Sequence, residues 1–126
     1  MHEGARLRLG HIFSEDGRAV VVAADHGAIA GPLEGIESPL ELVRLCTQGG
    51  ADAILVHKGF VRAGLEGWQR GLGLILRASG GFTVLGGRFE EELLYGAGDA
   101  LYWGADAAAV TVKFGSNPSS KPGSIE

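Results

Sequence analysis

Four stretches of the chain are almost continuously apolar: residues 19–24 (AVVVAA), 53–56 (AILV), 72–76 (LGLIL) and 107–112 (AAAVTV). None alternates between apolar and polar positions as a half-solvated strand does. Short unbroken runs of this kind, rich in β-branched residues, predict strands buried on both faces, the mark of a parallel sheet. Between the first two runs, Ser38, Pro39 and Glu41 carry the signals of a helix start: a capping hydroxyl, a proline suited to the first turn and the acidic member of a capping box. Leu42, Val43 and Cys46 then fall on one helical face, and Gly49-Gly50 stops the helix as a left-handed cap would. Strand, helix and strand with short joints make a βαβ unit, which winds right-handed.

The pattern recurs. Residues 89–103 read as helical material broken by Gly96 and Gly98, and the tetrapeptide Gly50-Ala51-Asp52-Ala53 returns as Gly104-Ala105-Asp106-Ala107, each time entering a strand. Asp16-Gly17 marks a turn after a weakly patterned start. The last stretch, GSNPSSKPGSIE, has no apolar anchor, so residues 117–126 are expected to be a disordered tail behind a domain of residues 1–116. Asn117-Pro118-Ser119 is no glycosylation sequon, because proline occupies its middle position. The expected class is α/β, with four parallel strands and their helices; pattern alone does not separate a small open sheet from half of an eight-stranded barrel.

Composition narrows the function classes. With 126 residues and 45% hydrophobic content the chain can build one core. A net charge of −4, with Lys and Arg scattered, shows no footprint for nucleic acid or an anionic membrane. Cys46 is the single cysteine, excluding an intramolecular disulfide and suiting a reducing compartment; its helical position makes it a small core residue. No apolar run reaches a membrane span and the start lacks a signal-peptide core, so a cytoplasmic protein is expected. The 22 glycines are spread as punctuation between short elements.

Parallel α/β architectures place their ligand site beyond the carboxyl ends of the strands. Here the runs end in Asp25-His26-Gly27, His57-Lys58-Gly59, Arg77-Ala78-Ser79-Gly80-Gly81 and Lys113-Phe114-Gly115-Ser116. Neighbours on a strand point to opposite sides, which separates Asp25 from His26 and His57 from Lys58; Asp25 and Lys58 are read as the inward pair. Such an aspartate can accept a proton or hold a substrate hydroxyl, and a nearby lysine attracts phosphate or keeps the carboxylate ionised. The plainer reading is a structural ion pair at the barrel end. Asp25, His26 and His57 form no diagnostic metal spacing, so no metal is expected. Ser79-Gly80-Gly81 and Gly86-Gly87 could cradle phosphate or serve as simple turns. Gly71-Leu72-Gly73 leads into a strand and is no dinucleotide fingerprint. No cofactor is implied, and Trp68 and Trp103 read as packing residues.

The stretches GRAVVVAADHGAIAGPLEGIESP, GGADAILVHKGFVRAGLEGWQRGLGLILRASGG and WGADAAAVTVKFGS, in this order, resemble the archaeal-type class I aldolase family, over roughly residues 5–116. That family includes fructose-bisphosphate aldolases and 2-amino-3,7-dideoxy-D-threo-hept-6-ulosonate synthase, which feeds aromatic amino-acid biosynthesis; the RASGG segment leans toward the latter branch. The resemblance implies a (β/α)₈ barrel of TIM type, truncated here to about four βα units, acting on a phosphorylated sugar or keto substrate. It also implies a late-strand lysine that forms a Schiff base and a mid-barrel tyrosine that donates a proton. Only the strand-one aspartate maps onto this chain, as Asp25, with Asp25, His26, Gly27, Ala28 and Ile29 as the substrate loop and Lys58 beside it. Lys58, Lys113, Tyr95 and Tyr102 do not occupy the family's lysine and tyrosine positions, so the chain alone is expected to be inactive. A barrel of this type takes ~250 residues, and half of one exposes strand edges that drive pairing. A homo-oligomer or a complementary half barrel is therefore expected. The competing reading is a non-catalytic α/β module that binds a phosphorylated small molecule.

Overall fold

The computed structural model describes residues 1–81, 83–86 and 90–114. Helix α1 (Glu3–Leu9) precedes strand β1 (Val21–Ala23), a single helical turn α2 (Gly27–Ala30) and helix α3 (Pro39–Gln48). Strand β2 (Ala53–Val56) runs into helix α4 (Lys58–Gly64) and a 3-10 turn, Leu65–Gly67. Strand β3 (Gly73–Arg77) is followed by the short strands β4 (Ser79–Gly80) and β5 (Glu92–Leu93), then helix α5 (Ala97–Tyr102) and strand β6 (Ala107–Ala109).

The main sheet has the order β1-β2-β3-β6 and is parallel throughout. A doubly wound sheet would reverse its order at a switch point; strictly sequential neighbours are the order of a barrel wall. The architecture is therefore α/β, a parallel (β/α) barrel of TIM type represented by about four units.

Helix α3 forms as its sequence dictates. The Ser38 hydroxyl accepts the Glu41 N–H at 3.4 Å, and Pro39 opens the first turn. The stop comes from Gly50 at φ 78°, which lets Ala51 N–H return to the Cys46 carbonyl at 2.9 Å. Val43 and Cys46 face the sheet and are buried with Ile54, Val56, Leu74 and Leu76, the core between helices and strands. A Cβ at Gly67 would lie 2.8 Å from Leu40 Cδ1 and 3.0 Å from the Leu40 carbonyl oxygen, so glycine is what allows the 3-10 turn to lie this close to α3.

Other expectations need correction. Of the helical material expected across residues 89–103 and broken by Gly96 and Gly98, residue 89 lies outside the described residues; from residue 90 onward the helix begins at Ala97 and runs through Gly98, because the Asp99 carboxylate accepts the Gly96 N–H at 3.0 Å and starts the helix there. Glu92 and Leu93 instead pair antiparallel with Gly80 and Ser79. Helices α1 and α4 carried no signal that had been read. The tail, 117–126, lies outside the described residues.

The repeated tetrapeptide has a mechanical meaning. Asp52 precedes β2 and its Oδ2 accepts the Val20 N–H at 2.7 Å; Asp106 precedes β6 and its Oδ2 accepts the Leu74 N–H at 2.9 Å. The backbone repeats the match: Asp52 N–H donates to Val20 O at 2.9 Å and Asp106 N–H to Leu74 O at 2.8 Å. Each aspartate thus clasps the start of the strand before its own. The second oxygens receive Ser14 Oγ at 3.2 Å and His11 Nδ1 at 2.6 Å, which fastens the segment after α1 across the amino ends of the strands.

Candidate active site

The register decides which residues share the face opposite the helices. Ala23 lies beside Leu55, Leu55 beside Ile75 and Ile75 beside Ala107; Arg77 lies beside Ala109. Continuing two residues along each ladder places Asp25, His57 and Arg77 in one row at the carboxyl end of the sheet, on the face that a closed barrel would enclose.

Arg77 organises this row. Its Nη1 donates to Asp25 Oδ2 at 2.7 Å, its Nη2 donates to Glu91 Oε1 and to Thr111 Oγ1, and its Nε donates to Ser79 O at 3.1 Å and Ser79 Oγ at 3.3 Å. Asp25 and Glu91 are both buried, at 8% and 5% exposure, so one guanidinium holds two carboxylates away from water. Ser79 is fully buried, and its hydroxyl also accepts the Thr111 N–H at 2.9 Å, which ties the end of β3 to the chain leaving β6. Glu91 reaches the cluster because β5 pairs with β4 and brings its preceding residue back over Arg77. The second oxygen of Glu91, Oε2, is buried and receives no hydrogen bond among the described residues.

His57 stands between two hollows. One, of about 240 Å³, is lined by His57, Arg77, Glu91, Leu94, Tyr95 and the Ala28–Ile29 turn; the other, of about 250 Å³, by Asp25, Gly27, His57, Gly59 and Phe60 among others. Burial pushes the His57 imidazole pKa below its ordinary value, opposed by Asp25, with Arg77 adding to the lowering and Glu91 opposing it. Its neutral form, with one donor and one acceptor nitrogen, is thereby favoured.

Lys58, expected beside Asp25, is exposed and opens α4; its Nζ sits 4.8 Å from the Tyr95 ring centroid. Among the described residues the cation paired to Asp25 is Arg77, and the residue in register with Asp25 is His57. The physical reason is that β2 gives way to helix at Lys58, so strand alternation no longer sets the direction of that side chain. His26 is exposed, with Nδ1 3.9 Å from Asp25 Oδ1. Gly27, Ala28 and Ile29 form the α2 turn, whose Ile29 carbonyl accepts the Val84 N–H at 2.9 Å. Among the described residues no three His, Cys, Asp or Glu side chains are grouped to hold a metal ion, and no helix is long and apolar enough to cross a membrane. The glycine-rich segment after β3 uses its serine internally; Gly87 lies outside the described residues. Arg77, Glu91 and Thr111 were not recognised as site residues in sequence. Arg77 could have been found by period-two alternation once the strand register was known, whereas Glu91 sits in a stretch read as helix.

A row of polar side chains at the carboxyl mouth of a sequential parallel sheet defines the class: a (β/α) barrel with its polar groups where such barrels place their sites. Residues 19–121 match the family model described as DeoC/LacD family aldolase, and the chain belongs to that family. An uncharacterised aldolase of Saccharolobus solfataricus is 31% identical over 119 residues, covering 89% of this chain and 43% of the relative. The 3-hydroxy-5-phosphonooxypentane-2,4-dione thiolase of an Enterobacter species is 32% identical over 115 residues, covering 90% of this chain and 38% of the relative. The fold is similar to that of an archaeal fructose 1,6-bisphosphate aldolase, with a TM-score of 0.69 and 24% identity, over 86% of this chain and 44% of that one. A structure of the Schiff-base-forming fructose-1,6-bisphosphate aldolase matches to the same extent. The chain spans less than half the length of these relatives.

Proposed function

We propose that this chain is the first-half wall of a Schiff-base (class I) aldolase barrel that makes or breaks a C–C bond of a phosphorylated sugar or keto substrate. Family membership supports the aldolase reading, and the Asp25 carboxylate held by Arg77 at the barrel mouth is the observation that carries it. Asp25 is positioned to accept a proton or hold a substrate hydroxyl, with Asp25, His26, Gly27, Ala28 and Ile29 forming the loop around the substrate and Lys58 at its rim. The Schiff-base lysine and the proton-donor tyrosine of such an enzyme belong to the other half of the barrel, so the chain alone is inactive. The half-open lumen, with Val21 43% exposed and Leu55 and Ile75 partly so, suits a partner half barrel or a second copy of the chain. Cytoplasmic location and a place in aromatic amino-acid biosynthesis follow from the same reading. The alternative, a module that binds a phosphorylated small molecule without chemistry, differs in covalent reactivity.

The test is a chimera in which this chain replaces the matching first half of the archaeal fructose-1,6-bisphosphate aldolase. Borohydride with dihydroxyacetone phosphate should trap an adduct on the chimera's second half, and Asp25→Asn should abolish turnover while leaving the fold intact. A folded chimera that traps nothing, or an adduct on Lys58 or Lys113 of the isolated chain, would overturn the assignment.

A further inference from the structure

The hollow beside Arg77 has a property that the aldolase reading does not use. Glu91 is 5% exposed and lines this hollow; one of its oxygens is bound by Arg77, and the other is buried without a partner among the described residues. A buried acceptor left unmade is costly, and the cost is recovered when a ligand supplies a donor.

The chemistry of that donor follows from the surrounding charges. All three nitrogens of Arg77 already donate, to Ser79, to Asp25, and to Glu91 and Thr111. Two carboxylates against one guanidinium leave the cluster at a formal charge of −1, so an anion is repelled. The His57 imidazole also lines this space and, favoured in its neutral form, has one donor and one acceptor nitrogen. Leu94 and the Tyr95 ring supply an apolar wall. A volume of about 240 Å³ is several times the ~30 Å³ that one water takes up in the liquid. The larger hollow, about 490 Å³ at the amino ends of the strands, offers no comparable group: both oxygens of Asp52 and of Asp106 are engaged by protein donors.

We infer that this hollow is a subsite for the uncharged hydroxyl-bearing part of a substrate, with Glu91 Oε2 as its acceptor and His57 as its second hydrogen-bonding group, and that it excludes phosphate. The inference rests on the aldolase reading for the identity of the substrate, a phosphorylated polyol or ketose, and adds its orientation: hydroxyls toward Glu91, phosphate away from Arg77.

The experiment titrates the chain itself with dihydroxyacetone, hydroxyacetone, acetone and inorganic phosphate, following the His57 ring signals and the Glu91 and Tyr95 amide signals by NMR. Dihydroxyacetone should shift these signals at the lowest concentration, hydroxyacetone at a higher one, and acetone and phosphate should leave them in place. Glu91→Gln keeps the side-chain shape and one oxygen for Arg77 while turning a donor toward the hollow. It should weaken dihydroxyacetone at least tenfold and leave acetone without effect. Because the first series uses the unmodified chain, the inference stays testable even where the variant is poorly folded. Phosphate acting as strongly as dihydroxyacetone, acetone matching dihydroxyacetone, or no response to any of the probes would overturn it, as would an unchanged affinity in folded Glu91→Gln. A chimera that traps substrate while this titration fails would refute the subsite alone. A titration that succeeds beside a chimera that traps nothing would refute the aldolase reading alone.

Discussion

Replacing Arg77 by methionine tests the physical centre of the site. The substitution keeps an unbranched side chain beside Ser79 and removes the guanidinium that pairs with both Asp25 and Glu91. Both carboxylates are more than nine-tenths buried, so water does not take the place of the guanidinium. Removing one partner from a buried ion pair costs about 3–5 kcal/mol. That is a large part of the about 5–15 kcal/mol by which domains of this size are stable. With a urea slope near about 2 kcal/mol per M, the unfolding midpoint at pH 7 falls by about 2 M. The loss depends on pH with a definite sign. Two buried carboxylates without a cation are relieved by taking up protons, so the folded variant binds more protons than its unfolded chain and acid favours it. The deficit relative to the unmodified protein should therefore shrink between pH 7 and pH 5. Adding Asp25→Asn and Glu91→Gln to Arg77→Met should recover much of the stability, because neutral groups remove the uncompensated charge. Urea titrations at both pH values measure all of this. A loss below about 1 kcal/mol at pH 7, or a deficit that does not shrink on acidification, would show that Arg77 does not hold the two carboxylates.

Three further outcomes follow from other parts of the molecule. Asp52→Ala and Asp106→Ala should each cost about 1–3 kcal/mol, and by similar amounts, because each leaves a strand-start N–H without its carboxylate acceptor; urea melts of the two variants compare them. The Cys46 thiol, buried and with its pKa raised by desolvation, should resist iodoacetamide at pH 8 in the folded chain and react once urea unfolds it, with mass spectrometry as the readout. The His57 ring should titrate below 6.5 by NMR; since its folded value is depressed, the stability it contributes is present above pH 6.5 and is lost as the pH falls through the lower folded value, a loss that His57→Gln should reduce.

Much of the fold is readable locally. An unbroken apolar run declares a doubly covered strand, and Ser38-Pro39 with Gly50 declares both ends of a helix, because these signals depend on residues a few positions apart. Helix α4 shows where such reading stops. It begins at Lys58, one residue beyond the apolar run of β2, and its outer positions are exposed, so the sequence there combines strand-end and helix-start character. The same boundary decides the site: Lys58 lies two positions past the end of the strand and already in the helix, where alternation no longer sets the direction of its side chain. Glu92 and Leu93 present the converse case, a strand of two residues whose existence depends on pairing with Ser79 and Gly80 rather than on its own pattern.

The site combines both kinds of information, and only one of them is local. Asp25 stands out because a carboxylate directly follows an apolar run. That Arg77, fifty-two positions later, is its partner depends on the register of three parallel strands, which nothing near either residue encodes. Once register is known, the period of two that separated Asp25 from His26 also selects His57 and Arg77. The Asp52 and Asp106 clasps bear on that register, since each joins a strand start to its neighbour through paired hydrogen bonds at the opposite end of the sheet. A slip of one residue would break both bonds of a clasp and turn the Asp25 row toward the helices. The repeated tetrapeptide and the charged mouth are thus two ends of one device: the carboxylates hold β1 to β2 and β3 to β6, the Asp52 carbonyl receives the Gly73 N–H between β2 and β3, and strands kept in step bring Asp25, His57 and Arg77 onto a single face.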